Sequence, residues 1–201
     1  MPICCFDLEG VLLPEFWIRI ADRLGLAELR LTTRDIADYD RLMRYRLRIL
    51  RREGIKLADL QEILAKVRPL PGARRFLDRI RASFPVIILS DTYYEFAGPG
   101  IQKLGQPVLF CNWLKTDRKG FIRTYVLRQR NGKLKSVRAL KGLGFQVTAV
   151  GDSYNDLGML KTAQRGILFN PPESIRTKYR QFPVTHTYAQ LEKAIRGSAL
   201  P

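Results

Sequence analysis

Pro2–Glu15 reads PICCFDLEGVLLPE, and how this stretch is read decides the fold. Ile3–Phe6 is a short apolar run of strand length, and Asp7, Glu9 and Gly10 follow it at once. Two carboxylates two residues apart at the mouth of a buried element repel one another, and desolvation near a core makes each charge costlier. Such a pair needs a cation, a shared proton or a chemical role.

Working outward, the same grammar recurs. VIILSD (86–91), PVLFC (107–111), VTAVGD (147–152) and GILFN (166–170) are short apolar runs that meet a small or polar residue. GARRFLDRIRASF (72–84), SVRALKGLG (136–144) and YNDLGMLKTA (154–163) have helical spacing between them. Strands alternating with helices predict a doubly wound, mainly parallel α/β sheet, with ligands at the carboxyl ends of its strands. Asp7, Ser90, Asp91 and Asp152 all fall at such ends.

The alternation breaks between Pro14 and Pro69. EFWIRIADRLG (15–25), RDIADYDRLMRYRLRILRREG (34–54) and KLADLQEILAKV (56–67) each place apolar residues at helical spacing. Thr33 or Asp35 offers an N-cap for the middle helix, and Asp59 stands early in the third. RPLPG (68–72) reads as a linker back to the sheet. The expectation is a helical cap of residues 14–70 inserted into an α/β core of residues 1–13 and 71–201. WLKTDRKGFIRTYVLRQRNGK (113–133) predicts a two-stranded hairpin turning near Lys119 and Gly120.

Composition narrows the class. The chain has 201 residues, 46% hydrophobic and 27% charged, which suits a globular protein with one sizeable core. No apolar run reaches the length of a membrane span. The N-terminus has no basic region, and Asp7 and Glu9 interrupt its apolar stretch, which argues against a signal peptide and for a cytoplasmic protein. Cys4, Cys5 and Cys111 make an odd set; Cys4 and Cys5 point to opposite faces of a strand, so no disulfide framework follows. No arginine lies in the loop after Cys5, which reads as a small apolar strand residue. A single histidine, His186, argues against a histidine-rich zinc site. The 35 basic and 19 acidic residues give a net charge of +16, spread along the chain. A solvated basic face is its first reading, steering of small phosphorylated anions into a cleft its second, and nucleic-acid binding its third. Monomer and homodimer both stay open.

Collected together, the strand ends offer a carboxylate pair (Asp7, Glu9), a hydroxyl (Ser90), an ammonium (Lys133) and further carboxylates in GDSYND (151–156). That set fits phosphoryl transfer through a hard divalent metal. Asp7, Asp152 and the backbone carbonyl of Glu9 can offer the oxygens that Mg²⁺ prefers, while Ser90 and Lys133 can hold phosphoryl oxygens. Taken singly, GD after a strand is a turn and SDT a helix cap; Asn155 either meets substrate or caps the next helix, and Asp156 orients Lys133 or a metal-bound water rather than binding metal.

In order and spacing, these motifs resemble those of the haloacid dehalogenase-like phosphatases. The resemblance is closer to the phosphoserine phosphatase branch with a helical cap, and closest to its bifunctional phosphoserine phosphatase/homoserine phosphotransferase subgroup. DLEGVL.PE, TTRDI.DYD.LM, RLRIL, ILSDTYYEF, GDSYND and GILF carry it over nearly the whole chain. The resemblance implies an Asp7 nucleophile that becomes an aspartyl-phosphate, Glu9 as general acid and base, and Mg²⁺ as cofactor. Glu9 stands where most relatives have aspartate. It also implies that Glu15 and Arg46 grip the amino and carboxyl groups of phosphoserine, while Ser90, Asp91, Lys133 and Asn155 complete the substrate-binding set. Phe16 and Met43 read as cap packing. The implied activity is hydrolysis of O-phosphoserine. Transfer of the phosphate to homoserine is the alternative within the class, and a basic nucleic-acid-binding protein or a polynucleotide phosphatase the alternative outside it.

Overall fold

Every apolar run named above forms a strand of one sheet. The structure, a computed structural model, describes residues 1–32, 35–36 and 38–197. β1 is Pro2–Phe6, and three helices follow it: α1 (Phe16–Leu24), α2 (Tyr39–Arg52) and α3 (Leu57–Ala65). α4 (Ala73–Arg81) leads into β2 (Val86–Tyr93), and α5 (Tyr94–Lys103) into β3 (Val108–Thr116). Then come β4 (Ile122–Val126), α6 (Gly132–Gly142), β5 (Gln146–Gly151), α7 (Leu157–Thr162), β6 (Arg165–Phe169), α8 (Glu173–Lys178), β7 (Val184–Thr185) and α9 (Tyr188–Arg196). The strand order is β4-β3-β2-β1-β5-β6-β7, parallel except where β4 joins β3. β1 is central: Cys4 pairs with Val86 of β2 on one side and Thr148 of β5 on the other. The chain leaves β1 in one direction and later resumes on its other side. This switch point opens a crevice at the carboxyl ends of the strands.

The alternation of β1 divides the core. Cys4 and Phe6 face the layer that holds α4, α9 and the inserted helices, whereas Ile3 and Cys5 face α6, α7 and α8. Phe6 is fully buried, its ring edge-on to Phe76 of α4 at 5.6 Å. Burying a side chain of this size contributes roughly 1.5–3 kcal/mol. Burial pushes the thiols of Cys4 and Cys5 up to about 12, which suits strand packing.

Two local expectations change. The N-cap of α2 is Asp38, whose carboxylate accepts from the Arg41 amide at 2.8 Å; Asp35 instead accepts from the Thr32 amide at 2.8 Å, in the preceding turn. Thr33 lies outside the described residues. Asp59 does act early in α3, accepting from the Lys56 amide at 2.7 Å. The predicted hairpin forms, but β3 is shared: its first half pairs parallel with β2 and its second half antiparallel with β4. Asp117 sets the turn, its side chain accepting from the amides of Lys119 and Phe121 at 3.0 Å each, with Gly120 at φ 86. This hairpin reaches the inserted helices. Asp117 pairs with Arg51 of α2 at 2.9 Å, and the Gly120 carbonyl accepts from the Leu57 amide at 3.0 Å.

Candidate active site

The turn after β1 is built for close approach. The Asp7 amide donates to the Val150 carbonyl at 2.9 Å, fixing Asp7 at the crevice. Gly10 has φ 78, which favours glycine, and a Cβ there would lie 2.5 Å from Asp152 Oδ2, so the Asp152 carboxylate would have to shift to admit one. Glu9 turns toward the insertion: its Oε1 accepts from the Phe16 amide at 2.7 Å, at the start of α1. Burial first, and then the charge of Glu15, push the Glu9 carboxyl up to about 8, against the pull of that amide.

Lys133 ties the strand ends together. It is 4% exposed, near the start of α6, with Nζ 2.8 Å from Asp7 Oδ1, 2.7 Å from Asp156 Oδ1 and 3.8 Å from Asp91 Oδ2. Burial opposes its charge, but Asp156, Asp7 and Asp91 more than offset this and hold the ammonium well above its ordinary range. Asp156 is fully buried; its second oxygen accepts from the amides of Asp152 at 3.0 Å and Ser153 at 3.1 Å. Burial, and then the charge of Asp156, raise the Asp7 carboxyl well above the usual range, which Lys133 only partly counters.

One oxygen from each of Asp7, Asp152 and Asp156 lies within 4.8 Å of the others. Asp156 is already spent on Lys133 and two amides, whereas Asp152 Oδ1 is buried without a hydrogen-bond partner among the described residues. Burial, then Asp156 and Glu15, push the Asp152 carboxyl up to about 7. An all-oxygen cluster with a desolvated, unpartnered carboxylate oxygen is a donor set suited to a hard divalent cation.

The remaining candidates form two groups. Ser90, Asp91 and Asn155 sit with Lys133: Ser90 is buried and its Oγ accepts from the Thr92 amide at 3.3 Å, and Asn155 Nδ2 donates to Asp91 Oδ2 at 2.9 Å. Asn155 thus crosses from the β5 loop to the end of β2. Glu15 and Arg46 lie on the inserted helices. Glu15 is exposed at the start of α1, and its charge reaches Glu9, Asp152 and Arg46. Arg46 is 6% exposed on α2; its guanidinium stacks 4.4 Å from the Trp17 ring centroid, donates to the Leu31 carbonyl at 2.7 Å, and keeps Nε without a partner among the described residues. Burial lowers its pKa, against the pull of Tyr39, Tyr93, Glu9 and Glu15. Phe16 and Met43 are buried in the packing of the inserted helices.

The family model for haloacid dehalogenase-like hydrolases matches residues 1–164. The chain belongs to the haloacid dehalogenase-like hydrolases. Phosphoserine phosphatase ThrH of Pseudomonas aeruginosa is 50% identical over 193 residues, covering 96% of this chain and 94% of its own. A phosphoserine phosphatase of Pseudomonas syringae pv. tomato is 50% identical over 191 residues, covering 95% of this chain and 81% of its own. Among solved structures, a phospho-aspartyl intermediate analogue of phosphoserine phosphatase superposes with a TM-score of 0.77 at 18% identity, covering 96% of this chain and 98% of its own; that likeness concerns the fold.

In this haloacid dehalogenase-like hydrolase, further residues join the site that the sequence reading did not single out. Asn112, buried at the middle of β3, donates to the Asp91 carbonyl at 2.9 Å and accepts from the Arg128 amide at 3.0 Å. It thereby ties the end of β2 to the loop that delivers Lys133. A polar residue after the apolar run VLFC was the only signal for it. Tyr39 and Tyr93 join across the insertion and the sheet, their hydroxyls 2.6 Å apart. Among the described residues, no helix is long and apolar enough to cross a membrane.

Proposed function

We propose that this hydrolase is a cytoplasmic, Mg²⁺-dependent phosphatase that converts O-phosphoserine to serine and inorganic phosphate. The observation that carries the reading is Lys133 clamped at 2.8 Å to Asp7 and 2.7 Å to Asp156, beside the unpartnered oxygen of Asp152. A carboxylate held against an ammonium at a strand end is placed to receive a phosphoryl group whose charge that ammonium balances. The names of the two half-identical relatives support the choice of substrate.

In this reading, residues 14–70 form a cap that selects the substrate and the remainder forms the catalytic core. Arg46 takes the substrate carboxylate and Glu15 its ammonium, leaving the phosphate to Ser90, Lys133 and the strand ends held by Asp91 and Asn155. An Asp7 oxygen attacks phosphorus. The bond to the serine oxygen breaks, Glu9 gives that oxygen its proton, and Asp7 carries the phosphoryl group. Glu9 then takes a proton from water, the water oxygen attacks the same phosphorus, and phosphate leaves with Asp7 restored. Asp156 keeps Lys133 oriented throughout. Asp7, Asp152 and the Glu9 carbonyl would hold Mg²⁺, which when bound supplies positive charge opposite the phosphoryl oxygens.

The test is phosphate release from a panel of phosphorylated metabolites, with Mg²⁺ and with EDTA. Metal-dependent release fastest from phosphoserine is expected. Saturable, salt-sensitive oligonucleotide binding with no release from phosphoserine would overturn the assignment.

A further inference from the structure

Tyr39 opens α2, and Tyr93 closes β2 with 1% of its surface exposed. Their hydroxyls are 2.6 Å apart, and the Tyr39 hydroxyl also lies 3.4 Å from the Asp91 carbonyl. Proton counting sets the direction. Among the described residues, Tyr39 is the hydrogen-bond partner of the Tyr93 hydroxyl. If Tyr39 donated to Tyr93, the Tyr93 proton would have no acceptor among the described residues, on a side chain only 1% exposed, a costly arrangement. The satisfied arrangement is a relay in which Tyr93 donates to Tyr39 and Tyr39 donates to the Asp91 carbonyl.

That carbonyl already accepts from Asn112 Nδ2 at 2.9 Å. Asp91 is therefore held on its main chain from two sides: by Asn112 within the sheet and by Tyr39 from the inserted helices. Its side chain meets Asn155 at 2.9 Å and lies 3.8 Å from the Lys133 ammonium. The two tyrosines also carry the contact sterically. Tyr39 is edge-on to Tyr125 of β4 at 5.5 Å, and Tyr93 edge-on to Phe96 of α5 at 5.5 Å, so neither ring is free to swing away.

We propose that Tyr39 is a positioning residue: through the Tyr93–Tyr39–Asp91 relay, docking of the inserted helices and seating of the Ser90–Asp91 strand end become one event. Opening the insertion strips the buried Tyr93 hydroxyl of its acceptor and removes one of the two donors that hold Asp91. The relay thus biases the protein toward the docked state and links that state to the shape of the phosphate seat. The second half of this inference rests on Ser90, Asp91 and Lys133 being that seat; the first half does not.

The experiment uses the full chain as Tyr39→Phe, Tyr93→Phe and the double variant. Each substitution keeps the ring and its packing, and circular dichroism melting checks the fold. Hydrogen exchange reads docking: amides in the first turns of α2 are expected to exchange about 2–10-fold faster in each single variant, the span of one net hydrogen bond. The double variant should be no faster than the quicker single one, because both remove the same link. Calorimetric titration with inorganic phosphate reads the seat, and Tyr39→Phe should bind it more weakly by a similar factor. Unchanged exchange, or single effects that add in the double variant, would overturn the relay. Faster exchange with unchanged phosphate affinity would reduce Tyr39 to packing and overturn the positioning role. Failure of phosphoserine turnover in the unaltered enzyme would sink the proposed substrate but leave the exchange measurement decisive for the relay.

Discussion

Replacing Arg46 by methionine should separate folding from recognition. In the protein alone, the guanidinium makes one short hydrogen bond, to the Leu31 carbonyl at 2.7 Å, and stacks on Trp17 at 4.4 Å. A hydrogen bond from a charged group contributes about 1.5–3 kcal/mol and a desolvated cation–π contact about 2 kcal/mol. Against these stands the cost of holding a charge 6% exposed with Nε unpartnered, and the penalty for such a desolvated ion is several kcal/mol. The two sides nearly cancel, and methionine refills the volume with an apolar chain. The melting temperature is therefore expected to stay within about 5 °C of the unaltered protein, at roughly 2–4 °C per kcal/mol for a chain of this size. Substrate recognition has no such cancellation. A buried guanidinium that pairs with a carboxylate contributes about 2–5 kcal/mol, so kcat/KM for phosphoserine should fall roughly 30- to 5,000-fold. Turnover of p-nitrophenyl phosphate, which has no carboxylate, should fall by less than about tenfold. Steady-state kinetics on both substrates, with melting curves, make the comparison. Equal losses on the two substrates would show that Arg46 serves the fold or the general field, and the recognition argument would be wrong.

Other outcomes follow from the same geometry. Asp7→Asn should abolish turnover in a phosphate-release assay while leaving the far-ultraviolet circular dichroism spectrum unchanged, because a carboxamide is both a poor nucleophile and a weaker metal ligand; near-normal turnover would refute attack by Asp7. Glu9→Gln should cost roughly 10²–10⁴-fold in steady-state rate, the loss expected for a positioned acid and base. Adding homoserine to enzyme and phosphoserine should divert some phosphate into phosphohomoserine, since an oriented alcohol can reach an effective molarity of about 10⁵ M; phosphorus NMR showing only inorganic phosphate would restrict the chain to hydrolysis.

The strands were legible because their periodicity is local. ICCFD, VIILSD and VTAVGD each combine strand length with a polar end, and that ending also placed Asp7, Asp91 and Asp152 at one edge of the sheet. The inserted helices were legible for the same reason, through their spacing. α5 was not read, because Gly98, Pro99 and Gly100 interrupt it; the gap is filled by packing, and a Cβ on Gly100 would lie 2.5 Å from Leu13 Cδ1. Asp38 displaced Asp35 as the cap of α2 because several polar residues compete in that segment and only tertiary packing sets where the helix begins. The links made by Asn112, Tyr39 and Tyr93 were hidden because their partners lie 21, 54 or 52 residues away. Arg46 stood in a run of arginines, and only burial distinguishes it from Arg44 and Arg48.

That burial leaves a pattern which stability alone does not explain. Among the described residues, two buried side-chain atoms lack a hydrogen-bond partner, Asp152 Oδ1 and Arg46 Nε, and they belong to groups of opposite charge. A fold selected only for stability would pair such groups or replace them with apolar ones. Here they stand on different elements, Asp152 after β5 and Arg46 on α2. Glu9 lies electrostatically within reach of both sides, since the charges of Lys133 and Arg46 each draw its carboxyl down. On the sheet side, Lys133 meets Asp7, Asp156 and, more distantly, Asp91, and one ammonium cannot balance them together with Asp152. The sheet side is thus short of positive charge, and on the inserted helices Arg46 keeps Nε without a hydrogen-bond partner among the described residues. A divalent cation answers that imbalance and a ligand carboxylate would take the open Nε, so the two atoms mark the two ends that a metal-dependent enzyme for a phosphorylated amino acid would need.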